Sequence, residues 1–152
     1  MNETIKTQKN GPCAFTSSPE LASGRDAGVT LPDYDLFERY VDTALENNIP
    51  DGAIAIYFNL YDDSGSKWSM EIVGTSAFDA ENSDWACEEL TDFHTRNKPL
   101  SWNETAEWDK ILAEVSDAVR RYLRSGRYAA KLRTLCGIGV GFVDGDLMII
   151  EL

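Results

Sequence analysis

Apolar residues recur along this chain in two periods, and the switches between them mark out its elements. After Pro32 and Asp33, the residues Leu36, Phe37, Tyr40, Val41, Ala44 and Leu45 return every three or four positions, with Asp35, Glu38, Arg39 and Asp42 between them. That spacing predicts a helix with one buried stripe. Asn47 and Asn48 end it, and Pro50-Asp51-Gly52 turns the chain. The period then falls to two. Ile54, Ile56, Phe58 and Leu60 alternate with Ala53, Ala55, Tyr57, Asn59 and Tyr61, which predicts a strand over 53–61. Asp62-Asp63-Ser64-Gly65-Ser66 predicts a hairpin loop. The returning strand, about 67–76, places Trp68, Met70 and Ile72 on one face and Ser69, Glu71 and Val73 on the other.

Residues 77–103 carry no sustained period, and a short helix is expected only over 88–93. Ser101-Trp102-Asn103-Glu104 matches a capping box, in which hydroxyl and carboxylate satisfy each other's backbone donors at a helix start. The stripe that follows is the clearest in the chain: Trp108, Ile111, Leu112, Val115, Val119, Tyr122 and Leu123. Ser125-Gly126 ends that helix, with Arg120, Arg121 and Arg124 near its carbonyl end, where cations are favoured. A second helix is expected over 127–135. The chain closes on Gly137-Ile138-Gly139-Val140-Gly141-Phe142-Val143, then Asp144-Gly145, then 146–152. Asp-Gly between apolar runs predicts a hairpin, since a two-residue turn needs positive φ. Ile138, Val140 and Phe142 are expected to face the core, and the three alternating glycines to leave a groove that a backbone, a helix or an aromatic ring approaches closely.

The predicted order is α-β-β-α-α-β-β. It implies an α+β domain whose antiparallel sheet is built from two β-hairpins, with helices packed on one face. Residues 1–30, rich in Asn, Thr, Ser and Gly, are expected to form a flexible N-terminal tail, and 31–152 a single domain. At 152 residues the chain suits one domain. No apolar stretch approaches the roughly 20 residues of a membrane helix. Met1–Pro12 lacks the apolar core of a signal peptide. Cys13, Cys87 and Cys136 are odd in number and without paired spacing, which suits a reducing compartment better than a disulfide framework. The expected compartment is the cytoplasm.

Charge changes the picture more than composition does. The net charge is −12. Residues 33–117 hold 20 acidic and five basic residues, whereas 118–152 hold six basic and three acidic. Such a field repels nucleic acid and anionic membranes and attracts basic partners, although it also serves solubility alone. The basic run Arg120, Arg121, Arg124, Arg127, Lys131 and Arg133 scatters over more than one helical face, which fits a solvated helix end or internal partners better than a nucleic-acid surface.

No catalytic constellation stands out. His94 is the only histidine, which excludes a histidine-rich zinc site, and Cys87 lies seven residues from it, too far for one helical turn. No nucleophile elbow, phosphate loop or dinucleotide fingerprint is present. Asp62-Asp63 and Asp144-Gly145-Asp146 are explained by turn chemistry and lack the length and closing Glu of a calcium loop. Neither cofactor nor metal is expected, and the chain is read as a non-enzyme. What is left is the stretch Asp79, Glu81, Asp84, Glu88, Glu89 and Asp92, with no base among them and Trp85 in their midst. Acids around an exposed aromatic make an interface, the ring supplying buried area and the carboxylates steering a basic partner. The plainer reading is an acidic loop with Trp85 plugged into the core.

Asp84-Trp85-Ala86-Cys87-Glu88-Glu89 and Gly137-Ile138-Gly139-Val140-Gly141-Phe142-Val143-Asp144-Gly145-Asp146-Leu147 together resemble the bacterial immunity proteins encoded beside polymorphic toxins. The resemblance covers residues 33–152. It implies a cytoplasmic antidote that binds one basic toxin domain and occludes its active site. It carries over no individual contact residue. Two other functions stay open at this point: a small carboxylate- or metal-assisted enzyme, and a general protein-interaction domain.

Overall fold

The structure, a computed structural model, describes residues 34–143, 145 and 147–152. The tail expected over 1–30 therefore lies outside the described residues, as do Cys13, Asp144 and Asp146. Helix α1 runs Tyr34–Leu45 and buries Phe37, Val41 and Leu45, three members of its predicted stripe. Strands β1 (Ala55–Asp62) and β2 (Lys67–Thr75) form the first hairpin, paired Ala55 to Thr75 through Asp62 to Trp68. Its loop holds Ser64, Gly65 and Ser66 at positive φ, and the Asp62 carboxylate accepts the Ser64 N–H at 2.9 Å.

After a 3-10 turn at Ser83–Cys87 come β3 (Glu89–His94) and β4 (Leu100–Asn103), then α2 (Trp108–Ser125), α3 (Ala129–Arg133), β5 (Gly137–Phe142) and β6 (Leu147–Ile150). Both β3 and β4 differ from expectation. The helix predicted over 88–93 is strand, pairing the far part of β2 with a bulge between Val73 and Thr75. Ser101, Trp102 and Asn103 of the capping box are strand too, with Ser101 opposite Ser69. Their amides serve the ladder, and the Glu104 N–H donates to the Ser66 carbonyl at 2.8 Å. Helix α2 instead starts seven residues after Ser101, with Glu107 at its N-cap and no side-chain cap.

The six-stranded sheet runs β3-β2-β1-β5-β6, with β4 also on β2. It is mixed, not antiparallel: the two hairpins join through β1 and β5, which lie parallel, Ala55 opposite Gly137 through Leu60 opposite Phe142. A central parallel strand is covered on both faces, and all six residues of β5 are buried. One face carries Ile56, Phe58, Leu60, Met70, Ile72, Ile138, Val140 and Phe142, packed with residues of all three helices into the main core. A second, smaller core of Ala55, Tyr57, Trp85, Ala86 and Leu147 lies on the opposite face. No helix of the described residues is long and apolar enough to cross a membrane.

Candidate functional site: the covered sheet face and the acidic segment over it

The sheet register sets the second face. Tyr57 lies opposite Gly139 and Val73, and Asn59 opposite Gly141 and Glu71. Over the glycines the chain lays its own aromatic rings. A Cβ on Gly137 would overlap the Phe78 ring, and one on Gly139 would stand 3.0 Å from Trp85 Cζ2. The two rings meet edge-on at 5.0 Å, and Trp85 meets Tyr57 at 6.3 Å. The groove predicted at the alternating glycines is thus filled by aromatic rings from residues 77–88.

This decides between the two readings of Trp85. It is 3% exposed, so it is the plug that fixes the segment and not an anchor offered to a partner. Its Nε1 and the Ser83 hydroxyl are buried without hydrogen-bond partners among the described residues. The acids around it behave as predicted in one respect: Asp79, Glu81, Asp84, Glu88, Glu89 and Asp92 are all exposed. The segment that carries most of them is shaped by its own polar groups. Asp79 accepts the Glu81 N–H at 2.8 Å and Asn82 accepts the Asp84 N–H at 2.9 Å. Glu89 is paired with Arg96 at 3.1 Å.

Next to the rings lies a buried polar chain that the sequence did not single out. Glu71, 3% exposed, takes two bonds from Arg96 at 3.0 Å, one from Asn59 at 2.9 Å and one from the Tyr61 hydroxyl at 2.8 Å. Tyr57 donates to Asn59 in turn. Burial pushes the Glu71 carboxyl up, but the bonds from Arg96, Asn59 and Tyr61 outweigh it and hold the group below the usual carboxylate range. Burial, with the Glu71 carboxylate as acceptor, pushes Tyr61 up to about 12. These contacts satisfy the carboxylate within the protein, as a buried charge requires. Glu71 therefore holds β1, β2 and the turn after β3 together and is not poised as an acid or base. Its position in a strand of period two gave no hint, because alternation says which face a residue takes but not whether that face is covered.

A second carboxylate pair lies where β4 leads into α2. Glu104 accepts the Trp102 Nε1–H on its side chain and the Trp68 Nε1–H on its carbonyl. Lys110 reaches Glu114 at 2.9 Å and Glu104 at 3.6 Å. Burial, and then the neighbouring Glu104 carboxyl, push the Glu114 carboxyl up to about 7. Among the described residues no group of three or more His, Cys, Asp or Glu is placed to hold a metal.

Most of the basic run serves the fold. Arg121 lies 3.8 Å over the Tyr34 ring, Lys131 caps the Leu45 carbonyl at 2.6 Å, Arg133 the Leu123 carbonyl at 2.6 Å, and Arg120 pairs with Asp117. Cys136 is a free, exposed thiol, whereas Cys87 is disulfide-bonded, which departs from the expectation of a chain without disulfides. Comparison with known proteins finds no family model that matches this chain, and no similar curated protein or solved structure.

Proposed function

We propose that this chain is a non-catalytic acidic binding protein, a cytoplasmic immunity protein that neutralises a basic toxin domain by occluding its active site. One observation carries the reading: six exposed carboxylates, Asp79 to Asp92, lie along a segment anchored by Phe78 and Trp85 on the sheet. Charges held on a fixed frame meet a basic surface without first losing the entropy of ordering a loop. They also raise the rate of productive encounter with a cation-rich partner. The contacts of Arg121, Lys131 and Arg133 with other elements support the same reading, because they leave half of the basic run engaged with the fold.

The test is co-expression with the products of the genes on either side of this one. A neighbouring product that arrests growth alone, becomes harmless with this chain and co-purifies with it is the expected result. Harmless neighbours, or toxicity that this chain leaves unchanged, would overturn the reading.

A further inference from the structure

With Trp85 buried, the aromatic that the interface needs lies elsewhere. Of the four tryptophans, Trp68, Trp85 and Trp102 are buried, and Trp108 is 36% exposed. It opens α2, and the rest of its stripe, Ile111, Leu112, Val115, Val119, Tyr122 and Leu123, is buried. Its ring meets that of Phe142 at 88°, centroids 6.3 Å apart, so one side of it is held in the fold. Val143, the next residue after Phe142, is 41% exposed. The indole N–H of Trp108 has no partner among the described residues, whereas those of Trp68 and Trp102 are spent on Glu104.

The topology gathers acids at the same end of the sheet. Phe142 lies opposite Leu60, two residues before the β1–β2 loop, and the Glu104 N–H donates to Ser66 in that loop. Asp62, Asp63 and Glu107 are exposed there and Asp109 is half-buried. No cation pairs with these four among the described residues. The local bases are Lys67 and Lys110, and Lys110 is already held by Glu104 and Glu114. This end lies opposite the one from which the 77–88 segment departs, since that segment follows Thr75 at the Ala55 end of the hairpin.

We infer that Trp108 is the anchor for an arginine- or lysine-bearing protein partner, with a cation of that partner lying over the indole face and flanking cations met by Asp62, Asp63, Glu107 and Asp109. A cation over tryptophan is the strongest of the cation–π pairs, and anionic neighbours hold the cation in place. A partly buried ring fixed on one side by Phe142 loses little freedom on binding, which is why tryptophan recurs among the residues that dominate interfaces. The inference rests on the binding function proposed above and places its anchoring contact at the opposite end of the sheet from the 77–88 segment, leaving the exposed acids of that segment a steering role.

Octa-arginine is the probe for the surface itself. In the parent protein, acrylamide is expected to reach Trp108 far more than the three buried indoles, and saturating octa-arginine to remove most of that quenching. Trp108→Ala is expected to weaken octa-arginine binding about fivefold or more, Trp108→Phe to recover most of it, and Asp79→Asn/Asp84→Asn to leave the quenching protection intact. Circular dichroism melts check that each variant folds. Unchanged affinity in Trp108→Ala, or full acrylamide access in the complex, overturns the assignment. The co-expression assay separates the two ideas. A parent that neutralises its neighbour together with a Trp108→Ala variant that neutralises equally well sinks the anchor and leaves the immunity function standing. A parent that fails to neutralise any neighbour sinks the immunity function, and the octa-arginine result then judges the surface alone.

Discussion

Glu71 and Glu114 are both carboxylates removed from most of the solvent, and their neighbours drive them in opposite directions. Glu71 has Arg96, Asn59 and Tyr61 donating to it and is held ionised. Glu114 has burial and a second carboxylate, Glu104, against it, and Lys110 offsets them only in part, so its carboxyl rises from an ordinary 4.5 to about 7. The linkage to stability has opposite signs. Glu71, with its folded value lowered, contributes stability that is present above the ordinary value and lost as pH falls through the folded one. Glu114, with its folded value raised, contributes stability that is complete below 4.5 and lost as pH climbs to about 7. Glu114→Gln keeps the neutral shape at every pH. Its stability relative to the parent, from urea unfolding, should therefore rise between pH 5 and pH 7.5. A difference that stays flat across that range would show that Glu114 is not protonated in the folded state at pH 5. Neither role was legible in the sequence, because Glu71 and Glu114 sit in polar positions of ordinary amphipathic patterns. Their environments come from residues such as Arg96 and Glu104 that reach them from separate elements.

The elements with a strong period were the ones the sequence foretold. Helices α1 and α2 and the hairpin of β1 and β2 match their stripes, because a stripe of buried side chains is a local property of 3.6 or two residues per turn. Strands β3 and β4 were missed for the complementary reason. They are short and lie on the edge of β2, where pairing with a neighbour decides the conformation more than local preference does. Ser101-Trp102-Asn103-Glu104 shows the competition clearly. Its residues suit a helix start, yet Trp102 buries its ring in the main core and the Glu104 amide goes to Ser66. A true N-cap serine costs about 1 kcal/mol when replaced by alanine. Ser101 is exposed in β4, so Ser101→Ala should change stability by less than about 0.5 kcal/mol. A loss of a full cap's worth in chemical denaturation would mean that the hydroxyl holds a helix start after all.

At the scale of the molecule, an excess of carboxylates lies over residues 33–117, while much of the basic run of 118–152 is tied to the fold through Tyr34, Leu45, Leu123 and Asp117. The exposed acids then act together as a field. For a cation-rich partner, raising ionic strength from about 0.05 to 0.5 M should slow association about tenfold or more, because the Debye length shrinks below the reach of that field. Dissociation, governed by the anchoring contact, should change far less. Stopped-flow mixing with the partner identified by co-expression measures both. Salt-independent association would leave the acids a role in solubility only.

By itself the sequence determined the helical stripes, the two hairpins, the inward set Ile138, Val140 and Phe142, and the concentration of acid, since each is a matter of local period or of counting charges. It also placed the exposed carboxylates Asp79 to Asp92 correctly at the surface. Only the tertiary structure decided that the hairpins join through parallel β1 and β5, because that pairing closes a separation of about 80 residues and no local signal specifies it. Only it decided which tryptophan is wet. Trp85 sits among acids, which leaves both an exposed ring and a core plug open, and the missing side chains of Gly137 and Gly139 open the space that Phe78 and Trp85 fill. Trp108 sits in an apolar stripe and looks buried, yet it opens its helix beyond the edge of the core. Burial depends on what the rest of the chain brings to a residue's face, and that is a property of the assembled fold.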